Sequence, residues 1–565
     1  MTSLDKYQAF KQYFGHSAFR PGQEALIDAL LSGKDVLGVL PTGAGKSICY
    51  QLPAVLLPGI TLVISPLISL MKDQVTALNQ SGVPAAYINS TLTVAQCREA
   101  LRRAALRYYK IIYVAPERLH TPLFQNFIRQ TPLSLIAVDE AHCVSQWGQD
   151  FRPSYLDIAS FLQALPECPP VGAFTATATL KVKEDIIRLL RLKDPFMLSQ
   201  GFDRPNLYFE VRAPKKKEEE LLRLLQKWPE KSGIIYCSTR KNVDNVCNLL
   251  RLKGYAAARY HAGMDEGERH QAQDDFQYDR AKIMVATNAF GMGIDKSNVS
   301  FVVHYNMPKD LESYYQEAGR AGRDGEKADC VLLYGKGDVV MAQYLISHSR
   351  ERAGDMGMDK ELEEREKERL KQMTFYSTTS GCLRAFILRY FGEKAPASCG
   401  NCSSCIGKTR LSKVPAGKEA VIEPEESCFT ALRLLRNQLS MAQKTPAYVV
   451  FTDATLRDMV SRQPMSEEEF LEVSGVGEEK NRRYGKLFID LIMRYQQKRA
   501  NLGALTAQDA SQLAQEVFNT HRPWTDSEIV RLKAGIAQGM SSLALAKAHE
   551  RPEAAILRML RELDQ

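Results

Sequence analysis

Pro41-Thr42-Gly43-Ala44-Gly45-Lys46-Ser47 follows an apolar run, residues 35–40, and precedes residues 48–57, which read as a helix. Strand, glycine loop and helix together make the setting in which a loop cradles a polyphosphate. Gly43 and Gly45 allow backbone N–H groups to turn inward, and the helix N-terminus adds favourable partial charge. In such a loop Thr42, Gly43, Ala44 and Gly45 line the phosphates. Lys46 reaches the β- and γ-phosphates of a nucleotide such as ATP, and Ser47 holds Mg²⁺ through its hydroxyl. The strict pattern G-x-x-x-x-G-K-[ST] wants glycine where this chain has Leu40, so the loop taken alone also fits a structural turn.

Three further groups carry chemistry. Val138-Asp139-Glu140-Ala141-His142 ends another apolar run. Two adjacent acids suit a division of labour in hydrolytic phosphoryl transfer: Asp139 on Mg²⁺, Glu140 polarising the attacking water. Residues 175–179, Thr-Ala-Thr-Ala-Thr, end the next strand and offer small hydroxyls that couple a nucleotide site to the following half of the chain. Farther on, Gln316-Glu317-Ala318-Gly319-Arg320-Ala321-Gly322-Arg323 sets two arginines three apart, on one face of a helix. Arg320 and Arg323 suit charge building on a γ-phosphate, and Gln316 suits ordering of water or sensing of that phosphate. Lastly, Cys382, Cys399, Cys402 and Cys405 follow a C-x16-C-x2-C-x2-C spacing that fits tetrahedral Zn²⁺.

The elements that must position these groups are those of an α/β protein. Strand-like runs at 62–64, 111–114, 135–138 and 171–174 alternate with helical stretches over the first 205 residues. A second such pattern, with runs at 233–237, 282–286 and 301–305, extends to about residue 340. Alternation of this kind predicts parallel sheets with helices on both faces and ligands at the carboxyl ends of strands. Between the halves lies a junction, Phe202-Asp203-Arg204-Pro205-Asn206, followed by the charged stretch 215–220. The remaining eight cysteines lack ligand spacing, which reads as a reducing compartment and not a disulfide framework. No basic-then-apolar leader pattern opens the chain, and no apolar run approaches the ~18 residues of a membrane span. A net charge of +8 over 565 residues is compatible with a polyanionic partner.

Taken together, these stretches resemble the RecQ family of superfamily 2 DNA helicases. The resemblance rests also on Phe19-Arg20-Pro21-Gly22-Gln23, on 65–74 (SPLISLMKDQ), on Ala115-Pro116-Glu117-Arg118 and on 286–295 (ATNAFGMGID). It accounts for Leu40, because the family's loop reads T-G-x-G-K-S. It implies adenine recognition by Arg20 and Gln23, with His16 standing where an aromatic stacking partner, usually tyrosine, is found. It implies a role for Asp295 beside the nucleotide. It also implies a DNA-contacting loop over 145–153, with Trp147 and Phe151 stacking on bases and Arg152 pairing with phosphate or carboxylate; Gln149 replaces the usual histidine there. Cys428 to Lys498 resembles an HRDC domain. Its Gly475-Val476-Gly477 turn suits either phosphate binding or a plain helix connection.

The expected fold is α/β: two tandem RecA-like parallel-sheet lobes followed by a helical zinc-binding subdomain and small all-α modules. The lobes span 1–205 and 206–342, and the zinc subdomain 343–406. A linker at 407–427, the HRDC-like domain at 428–500, a second linker at 501–519 and a small helical module at 520–565 complete the chain. The last resembles a helix-turn-helix through Trp524 and its spaced apolar residues. Many relatives carry a winged-helix wedge between zinc platform and HRDC module; the charged segment 406–427 cannot bury such a core. The expected activity is ATP-dependent DNA unwinding, 3′-to-5′ by resemblance, in repair or recombination; the alternatives are a DNA-stimulated translocase or a DNA-structure-binding or annealing protein with poor strand separation. Single-stranded and partly duplex DNA are the expected partners, with ATP, Mg²⁺ and Zn²⁺ as cofactors. The expected location is cytoplasmic, on the nucleoid, or nuclear, and neither membrane-bound nor secreted.

Overall fold

The computed structural model describes residues 5–145, 151–290, 296, 298–353, 360–409, 424–443, 445–502, 506–521, 526–549, 551 and 553–563. They fall into two compact units, one of residues 1–10 with 17–415, the other of residues 11–16 with 416–565.

The first unit holds two parallel sheets. In the first lobe the strands are β1 (Val36–Val39), β2 (Ile60–Ile64), β3 (Ala85–Ile88), β4 (Ile111–Val114), β5 (Leu133–Val138), β6 (Val171–Thr175) and β7 (Phe196–Ser199), in the order β3-β4-β2-β5-β6-β1-β7. β1, β2, β4 and β6 are buried along their whole length, as strands covered on both faces must be. The order sets β5, β6 and β1 side by side. Their carboxyl ends therefore bring Asp139, Thr175 and the phosphate loop to one edge, although the loop and Asp139 lie far apart in sequence.

The second lobe has β8 (Leu207–Arg212), β9 (Ser232–Tyr236), β10 (Ala257–Tyr260), β11 (Ile283–Ala286), β12 (Val299–His304) and β13 (Ala328–Leu333), in the order β10-β11-β9-β12-β13-β8. A helix, Leu311–Ala318, follows β12 and ends in the turn that carries Arg320 and Arg323. Asp310 caps it, accepting from the Ser313 N–H at 2.6 Å. Helices Lys336–Ala353, Lys360–Thr378, Leu383–Tyr390 and Ser403–Thr409 then lead into and surround the cysteine cluster.

In the second unit helices Pro424–Gln443, Asp453–Arg462, Glu478–Leu502 and Ala507–His521 share one core. The last of these falls where a linker is expected, over 501–519. Its polar surface hides a helical stripe, Ala510, Leu513, Ala514 and Val517, all buried in that core. Helices Asp526–Ala537, Ser542–Ala548 and Glu553–Leu563 close on Leu532, Leu545, Ala546 and Ile556. Trp524, and most of the linker expected at 407–427, lie outside the described residues. Residues 410–423 alone separate the last helix of the cysteine region from the first of the second unit.

Candidate active site

Gly43 and Gly45 both take left-handed backbone, φ +87° and +80°, which a side chain would strain. The loop between β1 and the helix Ile48–Leu56 therefore has the shape a polyphosphate needs. Gln23 is already engaged with it: its Nε2 donates to the carbonyls of Ala44 and Gly45, each at 3.1 Å. The Arg20 guanidinium donates to the Gly43 carbonyl, and the Arg20 N–H donates to Gln23 Oε1 at 2.9 Å.

Opposite the loop, Lys46 Nζ stands 3.9 Å from Glu140 Oε1. Glu140 follows β5 in left-handed backbone, φ +47°, which turns its side chain away from the strand direction. Burial alone would push this carboxyl up, but the charges of Lys46, His142, Arg320 and Arg323 outweigh it and hold Glu140 below its ordinary range. Asp139 behaves oppositely. Burial, then the neighbouring Glu140, push its carboxyl up to about 7. A cation beside Asp139 would relieve that penalty, so the residue fits a Mg²⁺ ligand. Its carbonyl accepts from the Tyr155 hydroxyl at 2.8 Å, which fixes the turn. Behind Glu140, the buried His142 Nδ1 sits 2.8 Å from Thr175 Oγ1 and 3.4 Å from Glu140 Oε2. The first threonine of the 175–179 run thus reaches Glu140 through His142.

The second lobe closes the site. Arg320 is buried, and Arg320 and Arg323 both act on the Glu140 charge across the lobe boundary. Their turn lies tight on the phosphate loop: a Cβ at Gly319 would meet the Tyr315 carbonyl oxygen at 3.0 Å and Thr42 Cβ at 3.4 Å. Gly322, φ +56°, has no room either, with Asn206 Nδ2 2.5 Å from where a Cβ would be. Gln316 is half-buried in the helix that leads into this turn. Lysine, paired acids and arginines from opposed lobes form a set that can bind, hydrolyse and sense a nucleoside triphosphate.

The ligand atoms of Cys382, Cys399, Cys402 and Cys405 lie within 4.8 Å of one another. Burial pushes the Cys399 thiol up to about 12. At Cys405 burial is outweighed by hydrogen bonds from Ser398 and from backbone N–H groups, and the thiol falls to about 6. Four converging sulfurs fit a structural Zn²⁺.

Comparison with known proteins finds matching families over most of the chain. Residues 20–186 match the DEAD/DEAH box helicase family and 216–325 the helicase conserved C-terminal domain. Residues 336–406 match the RecQ zinc-binding family, and 425–492 the HRDC domain. An ATP-dependent DNA helicase RecQ of Bacillus subtilis is 36% identical over 583 aligned residues, covering 86% of this chain and 97% of the relative. The chain belongs to the RecQ helicase family. RecQ helicases of Haemophilus influenzae and Pasteurella multocida are each 34% identical, over 87% of this chain and 96% and 94% of theirs. Among its described residues no helix is long and apolar enough to cross a membrane.

Arg20 and Gln23 are at the phosphate loop. His16 belongs to the second unit, where its Nδ1 lies 3.5 Å from Ser474 Oγ. In the same unit the Gly475 N–H donates to the Gly15 carbonyl at 2.7 Å, so that donor of the Gly-Val-Gly turn already has a protein acceptor. Arg152, expected on phosphate or carboxylate, donates to the Pro66 carbonyl at 2.9 Å, and Phe151 beside it is half-buried. Trp147 and Asp295 lie outside the described residues.

Sequence reading passed over Arg204, Arg384 and Asn401. Arg204 Nη1 donates to the Thr42 carbonyl at 2.7 Å, and Nη2 to the carbonyls of Ala321 and Gly322 at 3.1 and 2.7 Å. Arg384, two residues after Cys382, and Asn401, between Cys399 and Cys402, donate to the backbone of the same junction. An arginine and a proline in a segment that joins two lobes were the available signal.

Proposed function

We propose that this RecQ-family chain couples ATP hydrolysis to 3′-to-5′ movement along single-stranded DNA, and thereby separates duplexes during DNA repair or recombination in the nucleoid or nucleus. One observation supports the reading above the others. Lys46 and Glu140 of the first lobe face Arg320 and Arg323 of the second, so the site is complete only while the lobes are together.

In this reading Lys46 leaves Glu140 for the phosphate oxygens as nucleotide enters. Ser47 and Asp139 would hold Mg²⁺, which would supply charge neutralisation on those oxygens. Glu140, kept ionised by the surrounding cations, takes the proton of the attacking water. His142, fixed by Thr175, keeps Glu140 oriented. Arg320 and Arg323 offset the charge that develops on the transferred phosphoryl group, and Gln316 orders the water or reports the γ-phosphate. Gln23 and Arg20 turn from the loop carbonyls to adenine, with His16 as the stacking partner and Asp295 beside the nucleotide. Each closing and opening of the lobes advances the strand, on which Trp147 and Phe151 stack while Arg152 holds the loop that carries them.

The test is strand separation on labelled duplexes with a 3′ overhang, a 5′ overhang or neither, with and without ATP. ATP-dependent separation of the 3′-overhang substrate is expected, with little on the blunt duplex and none on the 5′-overhang one. DNA-stimulated hydrolysis without strand separation would make the chain a translocase instead.

A further inference from the structure

The junction between the lobes is more than a tether. Arg204 is half-buried there and spreads one guanidinium over both halves of the active site. Nη1 donates to the Thr42 carbonyl in the phosphate loop at 2.7 Å, and at 3.5 Å also faces the Gly319 carbonyl. Nη2 holds the Ala321 and Gly322 carbonyls at 3.1 and 2.7 Å. Asn206, two residues on, adds donors to the Gly322 and Glu326 carbonyls at 2.9 and 2.8 Å. Those acceptors are the backbone of the turn that bears Arg320 and Arg323. Only a planar fork of donors can reach a loop on one lobe and a turn on the other at once.

The junction is in turn gripped by the cysteine region. Arg384, buried two residues after Cys382, donates to Asp203 Oδ1 at 2.7 Å, to the Arg204 carbonyl at 2.6 Å and to the Leu207 carbonyl. Asn401, between Cys399 and Cys402, donates to the Pro205 and Leu207 carbonyls at 3.0 and 3.2 Å. Glu393 accepts from the Phe202 N–H at 2.6 Å, and the Phe202 and Phe391 rings stack with centroids 4.3 Å apart. A backbone held at residues 202, 204, 205 and 207 leaves the Arg204 side chain little freedom in where it points.

From this we infer that Arg204 is a positioning residue for ATP hydrolysis: it sets the Arg320–Arg323 turn in register with the phosphate loop, and the zinc subdomain sets Arg204. It does not touch the nucleotide in this role; it acts through Arg323. The inference rests on the proposed part of Arg320 and Arg323 in completing the site.

The experiment uses the full chain with a thymidine homopolymer as activator, and measures kcat and KM for ATP, zinc content and the melting midpoint. Arg204→Gln is expected to lower kcat about 10²-fold, the size of loss seen when catalytic groups are misplaced by an ångström. KM for ATP should stay within about threefold, with zinc content and melting unchanged, because the loop, Lys46 and the cysteines are intact. Arg204→Lys, which keeps the charge but not the fork, should recover only part of kcat. In a double variant with Arg323→Ala the losses should overlap and not multiply, since both act at one point. Wild-type kcat in Arg204→Gln, full recovery in Arg204→Lys, or multiplying losses would each overturn the inference. Should the glutamine variant fail to fold, the lysine variant and its cycle with Arg323→Ala decide alone. If Arg323→Ala by itself leaves kcat unchanged, the reading of the arginine turn fails first; if it cripples kcat while Arg204→Gln does not, only the role of Arg204 fails.

Discussion

Replacing Glu140 by glutamine separates binding from chemistry in this site. Glutamine keeps the shape of the side chain and removes its charge. Lys46 Nζ is 3.9 Å from Glu140 Oε1. At an effective dielectric of about 20, two unit charges at that distance attract by roughly 4 kcal/mol. That attraction competes with any phosphate for Lys46, so losing it favours nucleotide entry. Repulsion between Glu140 and incoming phosphate oxygens disappears as well. Only a fraction of the gross figure survives, because Lys46 gains water in exchange. ATP affinity should therefore be unchanged or tighter, by up to about tenfold, the equivalent of 1.4 kcal/mol. Turnover should fall by ~10²–10⁴, the range of a lost general base. The assay pairs equilibrium binding of labelled ATP with single-turnover quench at saturating single-stranded DNA. Glu140→Gln protein should hold ATP uncleaved, and DNA should not rescue it. Turnover within tenfold of the parent, or weakened ATP binding, would refute both the assignment of the base and the charge argument.

Lys46→Ala should do the opposite, weakening ATP affinity by about 10–100-fold through loss of one charge-assisted contact; equilibrium binding at fixed Mg²⁺ measures it. Cys402→Ser should abolish bound zinc and loosen the region around Leu383–Tyr390, since metal ligation and local folding are coupled; metal analysis with limited proteolysis reads this, and full zinc occupancy in the variant would contradict it. Blunt duplexes should be unwound poorly compared with 3′-overhang substrates, because residues 410–423 leave no room for a separate wedge domain before the first helix of the second unit. Chain truncated after Ile406 should retain DNA-stimulated hydrolysis; efficient blunt-duplex unwinding by it would place a wedge inside the lobes.

Contiguous motifs made much of this protein legible from its sequence. A glycine loop between strand and helix, two acids at a strand end and four cysteines at ligand spacing declare themselves locally, because each needs particular residue types in a fixed order. The parallel sheets were legible for the same reason: buried strands such as β2 and β4 must be apolar throughout. The helix Ala507–His521 falls where a linker is expected, because its buried stripe is narrow and Ala-rich. What tertiary structure alone decided was the meeting of remote parts. Strand order put β5, β6 and β1 together, so that Glu140, His142 and Thr175 became neighbours. The link through Arg204 left no trace at its far ends. Its acceptors are the carbonyls of Thr42, Ala321 and Gly322, and every residue carries a carbonyl. A donor that binds backbone places no demand on residue type at the other end. Only folding, which brought the arginine turn over the phosphate loop, determined which carbonyls that guanidinium would hold.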